Sequence, residues 1–195
     1  MTELDQNKIL QMPGPILVLG ASGFIGANLF RSIASLRADV YGTSRRTSPW
    51  RLSDAPRNKL RIVNLLIEHE LDALLSEIRP KTIFNCIAYG AYSFQTDWEL
   101  IYETNFNFVV KLLEKTSIMG VHCLVQSGTS SEYGRHSSGP AESLSPTPNS
   151  HYAVSKCGAA NAIYYMGRER KMACTNLRIY SAYGPLEDSS RLIPQ

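Results

Sequence analysis

No apolar run in the 195 residues approaches the length of a membrane span. Blocks of like charge are also missing, and a net charge of +3 spread along the chain is at most a weak pointer to an anionic ligand. A nucleic-acid-binding module would rest on that mild charge and interspersed aromatics alone, so no nucleic acid is expected as a partner. The four cysteines, Cys86, Cys123, Cys157 and Cys174, have no zinc-ligand spacing, and reduced, buried thiols are expected. The first 15 residues do not run from basic to apolar to small residues as a signal peptide does. No membrane partner and a cytoplasmic location are the expectations. Internal repeats and low-complexity tracts are absent too. What remains is 44% hydrophobic and 19% charged, an ordinary composition for one globular domain with a sizeable core.

Strand-like and helix-like patterns alternate. Strands are expected at 16–19, 40–43, 60–63, 82–88, 121–126 and 174–179, and helices at 24–36, 71–78, 98–119 and 152–171. Pro80 and Gly120 are the stops of the second and third helices. This alternation predicts an α/β fold: a Rossmann-type, doubly wound parallel sheet of about six strands with helices on both faces, a three-layer sandwich. Residues 1–14 read as an N-terminal tail and 15–195 as a single Rossmann domain. The loop-rich stretch 134–150 falls where a substrate would approach the carboxyl ends of the strands.

Three short stretches carry the chemistry. Gly20-x-x-Gly23-x-x-Gly26 follows the apolar run Ile16-Leu17-Val18-Leu19 and opens a helical pattern at Phe24. Gly20 suits a tight turn, Gly23 lets the backbone approach a pyrophosphate, and Gly26 lets helix and strand pack closely. The helix N-terminus adds free N–H groups and partial positive charge. NAD sites usually carry an acid about 20 residues further on, at the end of the second strand. Here Thr43-Ser44-Arg45-Arg46 stands instead, and Asp39 lies at the strand's other end. Two guanidiniums can grip a 2′-phosphate, so NADP is the expected cofactor, with NAD the alternative.

The second and third stretches are Ser127-Gly-Thr129 and Tyr152-x-x-x-Lys156. A free tyrosine, with a pKa of about 10, is a poor acid or base at neutral pH. An ammonium one helical turn away favours the phenolate. Thr129, on a neighbouring strand end, can hydrogen-bond the substrate oxygen being oxidised or reduced while a nicotinamide moves a hydride.

Together Gly20-Ala-Ser-Gly23-Phe-Ile-Gly26, Ser127-Gly-Thr-Ser-Ser-Glu-Tyr-Gly134, His151-Tyr-Ala-Val-Ser-Lys156 and Arg178-Ile-Tyr-Ser-Ala-Tyr-Gly-Pro185 resemble the extended short-chain dehydrogenase/reductase family, the NAD(P)-dependent sugar-nucleotide epimerases and dehydratases. The resemblance runs from Ile16 to Pro185. It implies Tyr152 as acid/base, Lys156 as its assistant and as a ligand of the nicotinamide ribose, and Thr129 as the catalytic hydroxyl. It implies a cofactor site of Gly20, Gly23, Phe24, Ile25, Gly26, Arg45, Arg46, Asn64 and Leu65, together with Ile87, Ala88, Asn105, Tyr152, Lys156 and Tyr180. A nucleotide-sugar substrate and a homodimer formed through the helices at 98–119 and 152–171 are implied as well.

Departures narrow the chemistry. The 4,6-dehydratases carry acids at the two positions after the threonine, where this chain has Ser130 and Ser131, so dehydration is disfavoured. Glu132 comes one step later, and one step along a strand end reverses side-chain direction. Asn64 replaces an aspartate near the adenine, and Ser181 replaces a frequent asparagine. Family members continue past the sixth strand into a substrate-gripping region, which is expected to be absent or truncated here. The implied activity is an epimerase or a 4-ketoreductase; a non-catalytic dinucleotide-binding module is the alternative.

Overall fold

The computed structural model describes residues 2–189. The chain is an α/β protein whose six strands alternate with helices, and every strand pairing within each of its two compact units is parallel. One unit comprises residues 2–86, 121–123 and 182–189, and the other residues 87–120 and 124–181.

In the first unit the helix α1 (Glu3–Gln11) precedes β1 (Ile16–Leu19), α2 (Phe24–Ala34), β2 (Val40–Ser44), β3 (Leu60–Ile62), α3 (Glu68–Ile78) and β4 (Thr82–Asn85). The strand order is β3-β2-β1-β4, and Ile16 is in register with Val40 on one side and Thr82 on the other. Parallel strands covered on both faces read as continuous apolar runs rather than alternating ones. Accordingly all four side chains of β1 are fully buried. Ile16 and Val18 join Ala27, Phe30 and Ile33 of α2, Val40 and Leu52 in one core cluster. Each such aliphatic side chain contributes on the order of 1.5–3 kcal/mol. Helix α3 ends where expected: Arg79, just before Pro80, takes a left-handed conformation at φ 48° and its N–H bonds the Leu75 carbonyl.

Nine residues of the N-terminal stretch form α1. Thr2 caps this helix, accepting from the Asp5 N–H while the Asp5 carboxylate accepts from the Thr2 N–H, a reciprocal box. Ile9 and Met12 pack on the core cluster. Arg37 closes the far end: its Nη1 donates to the carbonyls of Ile9 and Met12, while Nε and Nη2 hold Asp39 at 2.8 and 2.7 Å.

In the second unit, α4 (Trp98–Tyr102) and α5 (Phe108–Ile118) flank a π-helical turn at Glu103–Asn107, and β5 (Cys123–Thr129) runs parallel to β6 (Cys174–Ile179). Between those strands lie a 3₁₀ turn (Ser130–His136) and α6 (His151–Arg168). The single helix expected over 98–119 is therefore interrupted, although Ile101, Phe108, Val109, Leu112 and Leu113 are all buried as anticipated. The strand expected over 82–88 stops at Asn85. All four cysteines are free, but half-buried rather than buried: Cys86 follows the end of β4, Cys123 and Cys174 open β5 and β6, and Cys157 lies within α6. No helix among the described residues is long and apolar enough to cross a membrane.

Arg37→Ala removes the guanidinium that ties α1 to the sheet. Loss of this hydrogen-bond network is expected to destabilise the protein by about 1–3 kcal/mol in urea unfolding and to expose α1 to limited proteolysis. The Arg37 hydrogen bond, opposed by burial, holds the Asp39 carboxyl below its ordinary 3.8. A depressed carboxyl stabilises above its unfolded pKa, so the wild-type advantage is complete above that value and fades as pH falls through the lower folded one. An unchanged unfolding midpoint would contradict this docking.

Candidate functional site

Each unit contributes one group of the residues singled out above. In the first unit, β1 runs straight into Gly20, whose φ of +74° turns the chain sharply. The Gly23 N–H then bonds the Gly20 carbonyl at 3.0 Å. A methyl group at Gly26 would collide with that same carbonyl oxygen, so only glycine lets α2 start so close to the strand. No side chain caps α2 and its first turn holds no acid, which leaves a helix N-terminus suited to an anion. Gly26 is buried, Phe24 half-buried, and Gly23 and Ile25 exposed.

The end of β2 is bonded to this turn. The Gly20 N–H donates to Thr43 Oγ1 at 2.9 Å. The Ser44 hydroxyl accepts from the Arg46 N–H at 3.0 Å and donates to the Arg46 carbonyl at 2.8 Å, which fixes the backbone of the Arg45-Arg46 pair. Both arginines are exposed, and neither guanidinium bonds another described residue. Asp39, engaged by Arg37 at the opposite end of β2, is not available to a ribose here. Asn64 donates its N–H to Glu70 and accepts from the Leu66 N–H, while Leu65 is buried. This uncapped turn with an unpaired dication beside it fits a dinucleotide phosphate.

In the second unit, Ser150 caps α6 by accepting from the Ala153 N–H. That sets the helix so that Tyr152 is half-buried and Lys156, one turn on, is only 2% exposed. The Lys156 ammonium donates to the Ser127 carbonyl at 2.6 Å, bringing it to the end of β5 two residues before Thr129. Asn105 sits in the π-helical turn, fully buried. Its Oδ1 accepts from the Tyr89 N–H, and its Nδ2 donates to the Tyr89 carbonyl and to Ser155 Oγ, on the helix that bears Tyr152. A π-helical turn inserts an extra residue and re-aims a side chain. The segment 87–90, with Ile87 half-buried and Ala88 exposed, is thereby tied to α6. Tyr180 is 48% exposed on the residue after β6.

Sequence reasoning missed several participants. Thr43 anchors the glycine turn. Gly90, at φ +95°, brings its segment so close that an added methyl would lie 2.7 Å from Ile101 and 3.5 Å from the Tyr152 ring. The strand-end reading points Glu132 away; instead it is the third residue of the 3₁₀ turn that starts at Ser130, and it is fully buried. Arg178 bonds it and lies 4.5 Å over the Tyr133 ring. The signal in the sequence is Thr129-x-x-Glu132, the spacing of a capping box. Burial, with the Glu132 charge second and Arg178 opposing, pushes the Cys157 thiol up to about 11, so this cysteine is no nucleophile at neutral pH.

Known proteins resemble this arrangement. The UDP-glucose 4-epimerase of Mycolicibacterium smegmatis (strain ATCC 700084 / mc(2)155) is 27% identical over 180 residues, 88% of this chain and 57% of that protein. The chain thus spans little more than half the length of this relative. The structure of Thermus thermophilus UDP-glucose 4-epimerase in complex with NAD matches at a TM-score of 0.80 and 25% identity, over 89% of this chain and 57% of that one. UDP-glucuronic acid 4-epimerase from Bacillus cereus, also in complex with NAD, shares the fold at a TM-score of 0.76 and 24% identity, over 90% and 60% of the two chains. The model of the NAD dependent epimerase/dehydratase family matches residues 16–195, the stretch that holds both groups of residues, and the chain belongs to that family.

Proposed function

We propose that this chain is the cofactor-binding and proton-transferring part of an NAD(P)-dependent oxidoreductase or epimerase that acts on a nucleotide-sugar. The observation that carries the reading is Lys156: a lysine only 2% exposed, one helical turn after Tyr152, with its ammonium on the Ser127 carbonyl. A buried cation is expensive, and a fold keeps one where it serves chemistry or pairing. Here it favours the phenolate of Tyr152, which takes the proton from a sugar hydroxyl or returns it to a ketone. Thr129 donates its hydroxyl hydrogen to the same sugar oxygen. The nicotinamide, when bound, supplies the hydride acceptor and donor. The uncapped N-terminus of α2 and the glycine turn hold the diphosphate.

NADP is the cofactor this reading assigns. Arg45 and Arg46 present two unengaged guanidiniums at the end of β2, where an acid would otherwise hold the ribose hydroxyls. The relatives crystallised with NAD make NADH the necessary control. The nucleotide-sugar assignment draws on those same relatives and on the family. Ser130 and Ser131, in place of acids, favour epimerisation or ketone reduction over elimination of water.

Replacing Arg45 and Arg46 together with alanine is expected to weaken NADPH binding about tenfold to a hundredfold, read by fluorescence titration, with NADH changed less than about threefold. Equal losses would remove the phosphate assignment. In the full-length protein assayed with UDP-glucose and UDP-galactose, Tyr152→Phe is expected to lower kcat by about 10²–10⁴ and to leave the cofactor Kd nearly unaltered. Turnover that survives this substitution would take Tyr152 out of the mechanism.

A further inference from the structure

Glu132 and Lys156 are the two charged side chains buried among the described residues. The function proposed above uses Lys156 and leaves Glu132 without a purpose. A carboxylate taken out of water persists only where donors surround it. Oε1 of Glu132 accepts from the Thr129 N–H at 2.9 Å and from Asn176 Nδ2 at 3.2 Å; Oε2 accepts from Arg178 Nε at 2.9 Å and from Asn176 Nδ2 at 3.2 Å. Arg178 is held in turn by the Tyr133 ring beneath it and by the Glu142 carbonyl, 3.0 Å from its Nη1. From α6, the Cys157 thiol points at the Glu132 carbonyl.

One of these bonds reaches the residue that the proposed chemistry needs. The carboxylate grips the backbone N–H of Thr129, and Thr129 Oγ1 accepts from the Ser131 N–H at 3.2 Å. A threonine hydroxyl has one hydrogen and two lone pairs. With a lone pair taken by the backbone, the hydroxyl is oriented as a donor, and its hydrogen bonds no other described residue. A bond from N–H to an ionised carboxylate is about twice as strong as a neutral one, and so a better clamp.

We propose that Glu132 is a positioning residue: its buried carboxylate fixes the backbone of Thr129 so that the threonine hydroxyl is presented as a hydrogen-bond donor to the substrate oxygen. This rests on the role given to Thr129 above. Glu132 is not an acid or base in the reaction, since it is sealed from solvent and fully occupied by Thr129, Asn176 and Arg178. The competing account is that Glu132 and Arg178 form a purely structural ion pair joining the turn to β6.

Two double variants of the full-length protein separate these accounts: Glu132→Leu with Arg178→Met, and Glu132→Gln with Arg178→Met. Both remove the ion pair without stranding a buried charge. The second alone keeps an oxygen for the Thr129 N–H; its new NH2 stands where Asn176 Nδ2 now donates, and a turn of the Asn176 amide presents Oδ1, which is buried with no partner among the described residues. The leucine pair is expected to lose about tenfold or more of the hydrogen-exchange protection at Thr129 and Ser131, while the glutamine pair stays within about threefold of wild type. With UDP-glucose as probe, kcat falls in parallel for the leucine pair only, and in a Thr129→Ala background that pair lowers kcat no further. Equal exchange in the two pairs, or a further loss of kcat in the alanine background, overturns the proposal. In the unmodified protein the Thr129 amide is expected to exchange at least about a thousandfold slower than a free amide; fast exchange there overturns it whether or not the variants fold. Thr129→Ala with full turnover would instead remove the role of Thr129, and the exchange result would show whether the clamp itself exists.

Discussion

The ammonium of Lys156, sealed inside the second unit and donating to the Ser127 carbonyl, is the interaction on which the rest of the account turns. Moving it into water would break the bond that ties α6 to the Ser127 carbonyl on β5. Its place dictates which helix face looks inward, and therefore where Tyr152, one turn earlier, emerges half-buried. The Asn105 amide reinforces the same setting from the other side. It joins the Tyr89 backbone to Ser155 on α6, and Ser155 in turn donates to the Tyr152 carbonyl.

A second constraint governs the first unit and is steric rather than electrostatic. The chain must leave β1, reverse within one glycine and enter α2 with its backbone against the Gly20 carbonyl, a path open only because Gly26 has no side chain. Thr43 holds that turn from β2, and Ser44 immediately afterwards fixes Arg45 and Arg46. In both units the ends of strands do the positioning, through the hydroxyls of Thr43 and Ser44 in the first and the Ser127 carbonyl in the second. This is the pattern of open parallel sheets, whose carboxyl ends carry function while the interior carries stability.

Much of this was legible in the sequence because its signals are local. The run Ile16–Leu19 is apolar throughout and proved buried throughout; the glycine spacing marked the turn; Tyr152 and Lys156 are one helical turn apart whatever surrounds them. What escaped notice depends on partners distant in sequence. Glu132 looked like a misplaced strand-end acid because its donors include Asn176 and Arg178, more than 40 residues away. The π-helical turn leaves no periodic trace in a segment whose apolar positions still fit a helix. The helix α1 is too polar to announce itself by periodicity, yet Thr2 and Asp5 spell its cap, a signal that was present and unread.

The most direct test of the central claim is the pH dependence of nicotinamide reduction at 340 nm in a single turnover, with UDP-glucose added to the full-length protein, for wild type and Lys156→Met. If the buried ammonium sustains the phenolate of Tyr152, the variant needs a markedly higher pH to reach half its maximal rate. Coincident pH profiles at undiminished rate would contradict the account, since the cation would then have no part in the proton transfer.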